Sequence, residues 1–301
     1  MRITNSIITQ AQFEGLSAAM AALEKAQSQV TSGKRVQVAS DDPTAAMRVM
    51  NTDSSLAALD QYRSNVQLAS SRLNIEDSSL QQIGDLVTRA KELAVAQVGG
   101  TADASTRATA NAEVQQLFTQ LISIGNTQFG NEFIFGGAQS QTVPFTQSGS
   151  GATLSYTSTN PTGSRQMAIG DGQTITASLD GSQLLLNSGV LDAVKALSAA
   201  LDPASTTYGQ AGISAAMNQL DSAFNNVQAL VGDVGARGKQ LDTTDQNLVA
   251  YKSNLTTFKS DLQDIDVEQA VTELTNRQMA YQAAMLATSK VMGLTLTDYL
   301  T

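Results

Sequence analysis

Cysteine and histidine are both absent from this sequence of 301 residues, and the two absences remove most ordinary routes to catalysis. Without cysteine there is no disulfide, thiolate nucleophile or cysteine-based metal site; without histidine the commonest general base and metal ligand is gone. No run of about 18 apolar residues occurs, so the chain is expected to span no membrane. Its opening MRITNSIITQAQFEG lacks the basic-then-apolar plan of a cleaved secretory signal. Basic charge is scarce as well. Eighteen Lys and Arg against 27 Asp and Glu leave a net charge of −9, which opposes nucleic acid and anionic bilayers as partners. Gly33-Lys34-Arg35 is too short a basic run to change that.

Phosphate-binding signatures are also missing. The positions five before Gly33 and Gly238 are Ser28 and Asp233, so neither glycine closes a GxxxxGK loop, and no GxGxxG follows a strand. The carboxylate pair Asp41-Asp42 reads as a helix cap, because no further ligands stand at a spacing that suits Ca²⁺. No catalytic residue, metal or cofactor is assigned, and the chain is not expected to be an enzyme.

What is present is apolar periodicity. From Leu59 to Ala94 the residues Leu59, Tyr62, Val66, Ala69, Leu73, Glu76, Leu80, Ile83, Val87, Ala90 and Ala94 recur at alternating steps of three and four, with Glu76 alone breaking the seam. A second seam runs Leu241, Thr244, Leu248, Tyr251, Leu255, Phe258, Leu262, Ile265. The 3.5-residue period calls for a narrow contact stripe and a left-handed supercoil. At 1.5 Å per residue the first seam is ~54 Å long.

Punctuation divides the rest. Phe13, Leu16, Ala19, Met20, Leu23, Ala26 and Val30 share one helical face, which stops at Thr31-Ser32-Gly33. Asp42 is placed to cap a second helix with Pro43 at its first position. That helix runs towards Gly99-Gly100, and another amphipathic segment follows with Val114, Leu117, Phe118, Leu121 and Ile122. Residues 132–137, 152–157 and 174–179 read as short strands. Helical patterning returns from Val190 to Leu201 and again from Ile213. Gly232, Gly235 and Gly238 inside this last helix are expected to mark close packing on a neighbour. Met47, Met50, Met279, Met285 and Met292 are expected to be core. At Asp266 the apolar phase shifts, and Asp266 with Gln269 resembles a capping box that starts a separate terminal helix.

The expected fold is mainly α: a long antiparallel helical rod or coiled coil, with paired N- and C-terminal helices and a small β-rich inserted domain. The expected division is 1–40 plus 266–301 as a terminal-helix coiled-coil assembly domain, 41–130 plus 188–265 as the rod, and 131–187 as an outward-facing insert. The inner seams can cover each other. The outermost helices have little else to cover them, so they are expected to order on assembly. At the N-terminal end the expected assembly contacts are Ile3, Ile7, Phe13, Leu16, Leu23 and Val30. At the C-terminal end they are Val271, Leu274, Tyr281, Met285 and Met292, followed by Leu294, Leu296 and Leu300.

Thr31-Ser32-Gly33-Lys34-Arg35-Val36 followed by Ser40-Asp41-Asp42-Pro43-Thr44-Ala45-Ala46 resembles the N-terminal element of the bacterial flagellin family. Met1-Arg2-Ile3-Thr4, Tyr281-Gln282-Ala283-Ala284 and Leu294-Thr295-Leu296-Thr297-Asp298-Tyr299-Leu300 narrow the resemblance to members that stand between hook and filament. The resemblance implies a structural protein of the extracellular flagellum, secreted without a cleaved signal through the flagellar type III channel. It implies a ring of copies of the chain itself, between the first hook-associated protein and flagellin, and an export chaperone on the C-terminal helix. A filament-forming flagellin is the alternative, and an adhesin carried on a flagellin-like rod a more distant one.

Overall fold

A computed structural model describes the backbone of residues 2–99, 103–159, 161–176 and 178–300, with the side chains of 2–6, 8, 9 and 291–300 excepted. Among the described residues the chain forms six α-helices: α1 Arg2–Ser32, α2 Pro43–Val98, α3 Ala104–Gly125, α4 Val190–Leu201, α5 Gln210–Gln263 and α6 Val267–Leu300. Between α3 and α4 lie three two-stranded antiparallel hairpins: β1 Gln128–Phe129 with β2 Glu132–Phe133, β3 Phe145–Ser148 with β4 Ser155–Ser158, and β5 Gln166–Gly170 with β6 Gln173–Thr176. The chain forms two compact units, one of Met1–Ala58 with Ala250–Thr301 and the other Leu59–Val249.

In the second unit the seam of α2 is buried as its spacing demands. Leu59, Val66, Ala69, Leu73, Leu80, Ile83, Val87, Ala90 and Ala94 are all solvent-excluded, facing a core that takes Leu220, Val227, Val234, Leu241 and Leu248 from α5. Ion pairs show that the two helices run antiparallel, since Arg63 Nε meets Asp245 Oδ1 at 3.1 Å while Lys91 Nζ meets Asp221 Oδ1 at 2.5 Å. The shorter α3 packs on α4. Asp103 starts α3 by accepting the Thr106 N–H at 2.7 Å, which satisfies one of the donors a helix N-terminus leaves open.

The hairpins attach to the helices through polar groups that imitate backbone pairing. Asn126, at the end of α3, donates its amide to the Phe145 carbonyl at 2.8 Å and accepts the Phe145 N–H at 3.0 Å. Gly125 beside it has no alternative, because a Cβ there would sit 2.8 Å from the buried Phe145 ring. Glu132 receives Arg72 at 2.6 Å and Arg165 at 2.7 Å, joining β2 to α2 and to the segment before β5. These contacts hold its carboxyl below the usual range, Arg165 contributing most. Glu76 is different. It is fully buried in the seam, accepts the Leu179 N–H at 2.8 Å on Oε1, and leaves Oε2 without a hydrogen-bond partner.

Several expectations need correcting. A 3₁₀ turn at Gly151–Thr153 occupies the start of the strand expected at 152–157, and Ser182–Asn187 forms a π-helical turn at a place without readable periodicity. Gly232, Gly235 and Gly238 do not mark close packing, since a Cβ at any of them would meet nothing within 4 Å. Changing each to alanine is therefore expected to stabilise the subunit by about 0.5–1 kcal/mol, because glycine in a helix costs more backbone entropy than alanine. Urea unfolding of the triple variant reads the sum, and a loss of stability would mean that these glycines do face a neighbour. Met47, Met50, Met279 and Met285 are exposed rather than core. The second seam is buried only as far as Leu248, beyond which Tyr251 and Phe258 face solvent.

Candidate assembly surface

In the first unit α1 lies against α6. The end of α1 meets the start of α6, where the Ile265 N–H donates to the Gly33 carbonyl at 3.1 Å, so the two run antiparallel. Gly33 stops α1 with φ +69°, a backbone that few other residues adopt cheaply. The chain then crosses the break between α5 and α6. Lys34 and Asp264 form an isolated antiparallel backbone bridge, the Arg35 N–H donates to Gln263 O at 2.6 Å, and Arg35 Nη2 donates to Leu262 O at 2.8 Å. These bonds take up carbonyls that the last turn of α5 would leave open. From α1, Gln29 Nε2 donates to Arg35 O at 2.9 Å and Lys25 pairs with Asp41 at 2.8 Å.

The two aspartates divide the work on the far side of this knot. Asp42 Oδ1 accepts the N–H groups of Thr44 at 3.1 Å and Ala45 at 3.0 Å, with Pro43 as the first residue of α2. Asp41 Oδ2 accepts those of Gln37 at 3.1 Å and Val38 at 3.2 Å. Asp266 Oδ1 accepts the Glu268 and Gln269 N–H groups at 3.0 and 3.3 Å, opening α6. Lys25, then the two backbone donors, hold the Asp41 carboxyl at about 2, while the Ala45 N–H leads in lowering Asp42. A depressed carboxyl contributes stability above its unfolded value, and this is lost as pH falls through the folded one. The Gln37 and Val38 amide shifts are thus expected to titrate near pH 2 rather than at Asp41's ordinary value of 3.8. At pH 6, Asp41→Asn should speed exchange of both amides roughly tenfold, as expected for a locally loosened loop. Unchanged exchange would mean that the loop does not depend on this charge.

The first unit keeps its apolar surface outside. Among the described residues, thirteen of the eighteen large apolar side chains that stand exposed belong to it, and of its described apolar side chains only Ala26, Val36, Ala45 and Val49 are buried. Charge is distributed in the opposite sense. The first unit has nine basic and eleven acidic residues, net −2; the second has nine and sixteen, net −7. The second unit is a finished, charged surface around a core. The first is a nearly neutral helix assembly with an apolar exterior, and exposed apolar area of that extent marks an interaction site.

Of the residues expected at an assembly contact, Ile7, Phe13, Val271 and Met285 are exposed. Leu16, Leu23, Val30, Leu274 and Tyr281 are half-buried on α1 and α6. The side chains of Ile3, Met292, Leu294, Leu296 and Leu300 lie outside the described residues. Sequence reasoning left Val267 and Leu286 out of the expected contacts, although they are exposed at 63% and 65%. Val267 lies on the same seam as Val271 and Leu274, so spacing offered it, whereas Leu286 sits off that seam and carries no periodic signal. It also missed the role of Arg35, whose guanidinium spans from Leu262 to Asp42; an arginine in a polar loop carries no periodic signal.

The family model for the bacterial flagellin N-terminal helical region matches residues 3–140, and that for the C-terminal helical region matches residues 217–300. Flagellar hook-associated protein 3 of Escherichia coli (strain K12) is 28% identical to this chain over 98% of both sequences. A flagellin of Bacillus subtilis (strain 168) is 26% identical over 95% of both. Among solved structures, flagellar hook associated protein-3 from Legionella pneumophila superposes with a TM-score of 0.63 at 14% identity, covering 71% of this chain and 98% of that one.

Proposed function

Because the chain belongs to the bacterial flagellin family, we propose that it is a structural subunit of the flagellum that joins hook to filament. It meets the first hook-associated protein on one side and flagellin on the other, in a ring of its own copies, and performs no catalysis. The observation that carries this reading is the apolar exterior of the α1–α6 unit. Many thin apolar stripes, each too small to hold a complex alone, add up when neighbours above, below and beside are present together. The end-to-end similarity to a hook-associated protein 3 supports the junction over other places in the flagellum.

In this reading residues 1–40 with 266–301 form the assembly domain, 41–130 with 188–265 the rod, and 131–187 an outward-facing insert. The contacts are Ile3, Ile7, Phe13, Leu16, Leu23 and Val30 with Val271, Leu274, Tyr281, Met285 and the apolar residues that follow to Leu300. The subunit is exported through the flagellar type III channel without signal cleavage, reaches the cell exterior, and is escorted by a chaperone on its C-terminal helix. A second reading, a filament-forming flagellin, is favoured by the similarity to the Bacillus subtilis protein.

Electron microscopy of a strain lacking this chain separates the two. The junction reading expects hooks without filaments and flagellin monomers released into the medium, restored by the full chain and not by one lacking 266–301. Filaments that remain attached when 266–301 is deleted would overturn it.

A further inference from the structure

Cysteine, histidine and tryptophan are all absent, so the side chains that react readily with two-electron oxidants reduce to nine methionines. Their placement is uneven. Among those described, Met20, Met47, Met50, Met279 and Met285 belong to the first unit and are 47% to 67% exposed, whereas Met167 and Met217 of the second are partly covered. The two most exposed are Met47 at 64% and Met50 at 67%. They stand three residues apart on the first turns of α2, one above the other on the helix surface. Ala45, Val49 and Thr52 take the buried face, and the Asp42 cap fixes the helix start just upstream.

We propose that Met47 and Met50 form an oxidation site through which hydroperoxides prevent a free subunit from being incorporated. The thioether sulfur attacks one peroxide oxygen, the O–O bond breaks and an S–O bond forms. The departing hydroxide, or the alkoxide of an organic hydroperoxide, takes the proton from the oxygen now bound to sulfur and leaves as water or alcohol. Sulfur is oxidised by two electrons and the peroxide is reduced by two. Each event replaces an apolar, adaptable side chain by a polar sulfoxide. A sulfoxide covered without a donor is costly to bury, so the pair tolerates oxidation while solvated and opposes being covered. The effect on incorporation rests on the junction reading above; the reactivity of the pair does not.

The test treats the purified full chain with hydrogen peroxide and follows each methionine by peptide mass spectrometry. Samples are then sedimented with hooks isolated from cells lacking the chain. Met47 and Met50 should oxidise several-fold faster than Met167 and Met217, and hook binding should fall at least about tenfold for one buried sulfoxide. In a background where Met20, Met279 and Met285 are already leucine, so that among the described methionines only the pair is left exposed, adding Met47→Leu/Met50→Leu should cut the loss to less than about twofold, each chain measured against its own untreated sample. Equal oxidation rates, unchanged binding after oxidation of the pair, or equal sensitivity of the leucine variant would each overturn the proposal. If the untreated chain fails to bind hooks, the junction reading falls, while the rates still decide whether the pair is the reactive site.

Discussion

Glu76→Gln is expected to flatten the dependence of stability on pH between about 4.5 and 8 and to raise the urea midpoint at pH 8. Burial pushes this carboxyl up to about 8, against the Leu179 N–H and the positive charges of Arg237 and Arg72, while Asp233 on α5 adds to the rise. The desolvation of a fully buried charge outweighs one hydrogen bond and two guanidinium groups at a distance. In the unfolded chain the group ionises around its ordinary value of 4.5. Between that value and the folded one, unfolding releases a proton, so stability falls as pH rises. Below the lower value both states are protonated, and above the upper one both are ionised, and the slope vanishes. At ~1.4 kcal/mol per pH unit the fall amounts to ~5 kcal/mol. Glutamine keeps an acceptor for Leu179 without the ionisation. Leucine there should instead cost about 1–3 kcal/mol at pH 4, where it strands the Leu179 N–H. Parallel pH profiles for the parent and the glutamine variant would show that Arg72 and Arg237 compensate the buried charge after all.

Aspartate at Phe13, Val271 and Met285 together should abolish filament attachment while leaving the isolated subunit as stable as before. All three side chains are exposed in the subunit, and surface substitutions away from caps and networks usually change stability by less than about 0.5 kcal/mol. At a contact, each change loses the ~1.5–3 kcal/mol of a buried apolar side chain and adds an unpaired charge to be buried. In the proposed ring the penalty would recur in every copy. Circular dichroism melting and a swarming assay on the same variant read the two halves. Ala26→Asp is the contrast: Ala26 is buried within the α1–α6 unit, so that variant should unfold the unit itself. Normal swarming of the triple variant would move the assembly contacts elsewhere.

Local chemistry explains which elements were readable. Ser32-Gly33, Asp42-Pro43 and Asp266 each satisfy or refuse backbone groups within a few residues, so the end of α1 and the starts of α2 and α6 can be placed from spelling alone. The α2 seam was readable because a strict 3.5-residue repeat has only one dry arrangement. The hairpins were read less well. Their pairing depends on side chains such as Asn126 and Glu132 reaching residues far along the chain, and the π-helical turn at Ser182–Asn187 has no periodic signature. Met47, Met50, Met279 and Met285 and the glycine triplet depart from the reading for one reason. Spacing says which residues share a face, and says nothing about whether that face is covered.

Apolar phase, caps and missing chemistry, all legible in one dimension, determined by themselves a cysteine- and histidine-free helical protein with separate terminal helices. Which stripes stay uncovered was decided only in three dimensions, because burial depends on neighbours supplied by distant parts of the chain. The seam from Leu59 to Ala94 closes within the subunit around Glu76 and the Leu179 N–H. The similar-looking residues of α1 and α6 pair with each other and still leave Ile7, Phe13, Val271 and Met285 in solvent. Two helices can bury only the stripe between them, and the rest of each circumference stays in solvent.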